Sequence, residues 1–219
     1  MRKRFFIAVV LLILFSTYKV QNNFGIKLKP EIKEILVENN FIVSDEKIKK
    51  KLSFLYNENL FLLSTKDIKI KLENIELIES FEIKKIYPNK IKIKIFERVP
   101  VAILQNKKEK KYFTENGNVI NFEFFREFEN LPIVFGDKQN FKLLYDNLKK
   151  TNFKLKTIKT FYLFETKRWD LLTKEDKLIK LPIKNYEKSL SNFLNLKKQD
   201  NFDKYKTFDY RINNQLILK

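Results

Sequence analysis

The chain opens on an unbroken apolar run, Phe5-Phe6-Ile7-Ala8-Val9-Val10-Leu11-Leu12-Ile13-Leu14-Phe15, behind Arg2, Lys3 and Arg4 and ahead of Ser16, Thr17, Tyr18 and Lys19. Such a run with a basic leading flank reads as a membrane-inserting helix whose cations stay on the cytoplasmic side. A cleaved leader and a retained anchor compete for it. A leader needs small residues shortly after the apolar core, and Ser16 to Asn23 supply no such pair. As an anchor the run is short: the fourteen residues from Phe5 to Tyr18, at about 1.5 Å each, reach roughly 21 Å, against about 30 Å of hydrocarbon. Snorkelling by Arg4 and Lys19, interfacial Tyr18 and extension through Val20 close part of the gap. The pattern therefore favours an anchor over 5–20, behind a cytoplasmic tail of residues 1–4, with the remaining chain across the membrane.

Beyond a polar stretch holding Gly25 and Pro30, Ile32, Ile35 and Val37 suggest a strand that stops at Asn39-Asn40. Ser44 caps a helix with Ile48, Leu52 and Leu55 on one face, and Ser64 opens a second with Ile68, Leu72 and Ile75. Phe81 and Ile83 begin a strand ending at the Tyr87-Pro88-Asn89 turn. Ile91, Ile93 and Ile95 then alternate with Lys90, Lys92 and Lys94, one face buried and one wet. After residue 99 the pattern is mostly strands, with helices expected over 138–150 (Phe141, Leu144, Tyr145, Leu148) and 184–197 (Tyr186, Leu190, Phe193, Leu194). Near the end, Phe208, Tyr210 and Ile212 alternate with Asp209 and Arg211. Asn213-Asn214 makes a two-residue turn into a last strand, Gln215-Leu216-Ile217-Leu218.

Composition removes much chemistry. With no His and no Cys there is no His-based triad, no thiol nucleophile, no disulfide and no His/Cys zinc site, and no Gly-rich phosphate loop follows any strand. The net charge of +18 comes from 45 basic residues of which only six are Arg. Lys spread along the whole chain beside abundant Ile, Asn and Phe reads as compositional bias rather than a nucleic-acid footprint, which favours the Arg fork. Glu97-Arg98 reads as an ion pair at a domain junction, Trp169 as packing, and Asp170, Glu175 and Asp176 as a charged turn. No catalytic, cofactor or metal site is expected.

Three segments then acquire meaning together: Ile35 to Ser44, Ile86-Tyr87-Pro88-Asn89-Lys90-Ile91, and Phe96-Glu97-Arg98-Val99-Pro100-Val101-Ala102. They resemble a POTRA domain of the FtsQ/DivIB cell-division family, with Asn39 or Asn40 where that family usually has Gly. The resemblance continues through Tyr112 to Ile120, Leu131-Pro132-Ile133-Val134-Phe135-Gly136, Lys167 to Leu172, Lys177 to Pro182 and Phe208-Asp209-Tyr210-Arg211-Ile212, spanning about residues 24–219. It implies an α+β protein: an N-terminal transmembrane helix, a POTRA domain (β-α-α-β-β) over 24–98, and a mostly antiparallel β domain with flanking helices over 99–219. It further implies a non-enzymatic, single-pass inner-membrane protein with its body in the periplasm, enriched at the septum. Its implied partners are FtsB, itself paired with FtsL, and other divisome proteins through the POTRA domain. FtsB would add a strand to the last strand. Arg211 would be the charged anchor, Ile212 would replace an aromatic contact, and Leu216, Ile217 and Leu218 would form the edge. A POTRA-bearing transport or outer-membrane assembly factor is the alternative.

Overall fold

The computed structural model describes residues 2–17, 31–107, 109–212 and 214–219. Helix α1 (Arg2–Thr17) realises the apolar run, its side chains from Phe5 to Phe15 largely exposed. Its 16 residues fall short of a bilayer's hydrocarbon depth, and among the described residues no helix is long and apolar enough to cross a membrane. Positions 18–20 of the expected anchor and 24–30 of the expected first domain lie outside the described residues.

The body holds two sheets. The first, ordered β1-β3-β2, contains β1 (Glu34–Glu38), β2 (Ile78–Ile86) and β3 (Lys90–Glu97), with β1 parallel and β2 antiparallel to β3. Helices α2 (Asp45–Lys51) and α3 (Thr65–Glu73) lie between β1 and β2 in sequence. The hydroxyl of Ser44 accepts from Lys47 N at the start of α2, and that of Ser64 from Lys66 N at the start of α3. Ile48, Leu52, Ile68 and Leu72 meet Ile91, Ile93 and Ile95 in one fully buried cluster, while Lys90 and Lys92 reach across the wet face to Glu34 and Glu38 at 2.6 and 2.7 Å. Asn39 adopts φ 62°, the left-handed conformation the turn after β1 requires.

The second sheet has nine strands in the order β12-β11-β10-β9-β8-β7-β4-β5-β6. These are β4 (Pro100–Gln105), β5 (Lys110–Thr114), β6 (Val119–Asn121), β7 (Ile133–Phe135), β8 (Ile158–Leu163), β9 (Trp169–Thr173), β10 (Leu178–Lys180), β11 (Thr207–Asp209) and β12 (Ile217–Leu218). Its pairings are antiparallel except β4–β7, β7–β8 and β10–β11. Helices α4 (Lys138–Lys150) and α5 (Tyr186–Leu196) cover one face, burying Phe141, Leu144, Leu148, Leu190 and Phe193 against Phe161, Leu171, Ile179 and Phe208. Trp169 stands edge-on to Phe141 and Phe161. It passes so close to Gly136 that a Cβ there would lie 2.8 Å from the indole, which is why that turn takes glycine.

The two sheets share an apolar cluster. Ile103, Tyr112 and Ile120 from the second sheet's far end, with Phe128 from the turn between β6 and β7, are contiguous with the core under the first. The expected Glu97–Arg98 ion pair does not form. Successive residues in extended backbone point to opposite sides. The Glu97 carboxylate accepts from the backbone amides of Phe41, Ile42 and Val43 (2.7–3.1 Å), while Arg98 donates to the Glu76 carbonyl.

Candidate functional site

The C-terminal hairpin closes one side of the nine-stranded sheet. Gln215 N donates to Ile212 O (3.2 Å) around Asn214, at φ 58°, and β12 returns antiparallel to β11. Asn213 lies outside the described residues. Thr207 and Lys219 exchange both backbone hydrogen bonds, at 2.9 and 3.1 Å. Antiparallel ladders alternate inward and outward groups, so the N–H and C=O of Leu218, one residue earlier, point away from β11 toward the outer side. No strand lies beyond β12 among the described residues. The hairpin itself is held from behind: the buried Lys177 ammonium donates to Asp203 O (3.0 Å) and Tyr205 O (2.8 Å), fixing the approach to β11.

Both strands are shorter than the alternation suggested. Beyond Asp209, Tyr210 N turns to Lys180 O (2.8 Å), and Arg211 N is taken by the Asp209 carboxylate (3.1 Å), which withdraws it from the ladder. The same carboxylate receives Arg211 Nε (2.9 Å) and Nη2 (2.6 Å). These bonds, with that of the backbone amide, hold Asp209 below the usual carboxylate range although its side chain is buried. The guanidinium is thereby fixed in orientation while its side chain stays 45% exposed.

A row crosses the strands on the face the helices leave uncovered: Tyr162, Asp170, Lys180, Asp209 and Ile217 are successive register partners. Asp170 is buried beside Arg168 (3.2 Å), and burial pushes its carboxyl up despite that cation. Asp170 lies within β9 itself rather than in the charged turn expected for it. The signal that would have found this row is a lone charge inside each apolar strand: Asp170 in Trp169-Asp170-Leu171, Lys180 in Ile179-Lys180-Leu181, Asp209 in Phe208-Asp209-Tyr210. Glu175 and Asp176 do sit in the following turn, paired with Lys197 and Lys159.

Of the five expected contact residues, Arg211, Ile212 and Ile217 are exposed, and Leu216 and Leu218 are half-buried against the helix-side core. Ile212 and Leu216 also line an open cavity of about 540 Å³ between the hairpin and α5, together with Tyr210, whose hydroxyl donates to Asn192 Oδ1 (2.9 Å). Burial pushes the Tyr210 phenol well above its ordinary value, so it stays neutral. Among the described residues no group of three or more acidic, His or Cys side chains is arranged to hold a metal.

Comparison with known proteins agrees with this architecture. Residues 31–98 match the POTRA domain of FtsQ type, and residues 102–211, half of the chain, match the C-terminal region of cell division protein FtsQ/DivIB. The chain belongs to the FtsQ/DivIB family. Relatives include cell division protein FtsQ of Rickettsia bellii (strain RML369-C), 26% identical over 208 residues, covering 93% of this chain and 76% of that protein. The FtsQ of Rickettsia felis (strain ATCC VR-1525 / URRWXCal2) is 27% identical over 221 residues, covering 99% and 80%. Among solved structures, the major extracytoplasmic domain of the trans isomer of DivIB from Geobacillus stearothermophilus overlaps at a TM-score of 0.31 with 12% identity, covering 44% of this chain and 87% of that one, a likeness too loose to define the fold. The FtsQ/DivIB family is one of cell-division proteins and not a known class of enzyme.

Proposed function

We propose that this FtsQ/DivIB-family chain is a non-enzymatic scaffold of the division machinery, anchored in the inner membrane through residues 5–20 and acting at the septum from the periplasm. Residues 24–98 would serve as the POTRA unit, meeting other divisome membrane proteins, and 99–219 as the β domain that receives FtsB together with FtsL. The observation that carries this reading is the outward-facing backbone of Leu218 on an uncovered edge, flanked by the fixed Arg211 guanidinium and exposed Ile217. An added strand satisfies such an edge, and a carboxylate on it meets the guanidinium.

The test is capture of the periplasmic segment of FtsB by the full chain. Leu218→Pro removes the outward donor, whereas Leu218→Ala trims the side chain and keeps it. Proline should weaken capture roughly ten- to a hundredfold and alanine far less, the loss expected for one or two hydrogen bonds left unmade at the edge. Arg211→Glu should also weaken capture. Equal capture by all three variants would reject the edge as the docking site.

A further inference from the structure

A second exposed feature lies at the opposite end of the body. Phe61 (58% exposed) and Tyr87 (55%) stack at 4.8 Å between ring centroids, and Leu62 (83%) follows Phe61 on the same loop. Single exposed apolar residues are ordinary; a stacked aromatic pair beside an exposed leucine on a hydrogen-bonded loop is not. The support is specific. Asn59 Oδ1 accepts from Phe61 N (2.9 Å) and Leu62 N (3.4 Å), and Lys85 Nζ donates to Phe61 O (3.3 Å) and Leu63 O (3.1 Å). The tip of the loop therefore presents apolar side chains while much of its backbone polarity is satisfied from within, the condition for leaving water.

This is also the end where the tether joins. Glu31 bridges Asn59, Ile32 N donates to Glu58 O (2.9 Å), and Lys33 N donates to Asn89 O (2.8 Å), so the first described residues of the body run between the Asn57–Asn59 loop and the Tyr87–Asn89 turn. Residues 18–30 separate Glu31 from the apolar helix α1 and extend at most about 50 Å. Whatever surface holds α1 is within reach of this end. Aromatic rings, a leucine and nearby Lys33 and Lys66 suit the interfacial zone of a phospholipid bilayer, where amphipathic side chains settle.

We infer that Phe61, Leu62 and Tyr87 form a membrane-surface contact that seats the body against the bilayer holding α1. This rests on the proposed anchor. The chain has no cysteine, so Leu62→Cys in the full chain accepts a single polarity-sensitive fluorophore, with Leu143→Cys on α4 (63% exposed) as the distant control. The protein is reconstituted into vesicles of three parts phosphatidylethanolamine to one part phosphatidylglycerol. The expected result is co-flotation, with a blue shift and loss of iodide quenching at position 62 and neither at 143. Adding Phe61→Glu and Tyr87→Glu should return the label at 62 to water without preventing flotation. Flotation with position 62 fully quenched overturns this inference alone; failure to float overturns the anchor and this contact together. Protection at both 62 and 143 reports aggregation and counts against it.

Discussion

The two margins of the nine-stranded sheet are covered in opposite ways. At the β6 margin, the Glu76 carboxylate, from the turn between α3 and β2, receives Asn121 N (2.6 Å) and Asn121 Nδ2 (2.5 Å), and both faces of the nearby strands are covered, Phe113 by α4 and Tyr112 by the first sheet's core. At the β12 margin, helices cover one face only and nothing among the described residues takes the outer backbone groups. An unpaired edge invites association unless it is blocked. One margin is blocked by the protein itself, and the other is open among the described residues; the proposed docking of a partner strand rests on that contrast more than on any single residue.

Measurements at both margins put this contrast to the test. Tyr112→Ala, at the doubly covered end, should cost about 3 kcal/mol or more in urea unfolding, because it empties buried volume and drops a hydrogen bond to Glu123 O (2.8 Å). Glu76→Ala should cost about 1 kcal/mol by unblocking the β6 margin. A smaller and pH-dependent effect separates the two buried carboxylates. Asp209 titrates below its unfolded value, so its contribution is present above roughly pH 3.9 and fades as pH falls through its lower folded value. Asp209→Asn should therefore be destabilising at pH 7 and converge with the parent in strong acid. Asp170 titrates above its unfolded value, so its ionised form opposes folding, a penalty that grows as pH rises from roughly 3.9 and is complete above the folded value. Asp170→Asn should be neutral or stabilising at pH 7, and a loss of stability there would show that Arg168 outweighs burial. The smallest change in stability belongs to Ile217→Ser, within about 0.5 kcal/mol because the side chain is exposed, even as capture of FtsB weakens. A large loss at Ile217 would mean the β12 margin is not open.

Much of the fold was legible where periodicity and burial coincide. Ile91, Ile93 and Ile95 are all fully buried on β3, and the face of α4 carries Phe141, Leu144, Tyr145 and Leu148 inward as their spacing required. The start of β2 was not legible: it begins at Ile78 rather than Phe81, because a register shift between Ile78 and Ser80 breaks the alternation. Strand order was hidden too. β4 sits between β5 and β7, and β10 runs parallel to β11 across the α5 crossover, pairings between residues distant in sequence that no local pattern encodes. The terminal hairpin could be read from its turn and alternation, but the commitment of Arg211 to Asp209 could not, since it depends on the chain leaving the ladder at that residue.

The shared apolar cluster beneath the two sheets has a mechanical corollary. Because Ile103, Tyr112, Ile120 and Phe128 are continuous with the first sheet's interior, and Arg98 and Glu76 stitch the same seam, the body is a strut rather than beads on a string. A pull applied at Glu31 reaches the hairpin through packed matter instead of being absorbed by a joint. The spacing between Glu31 and the hairpin is then set by the packed interior rather than by a hinge.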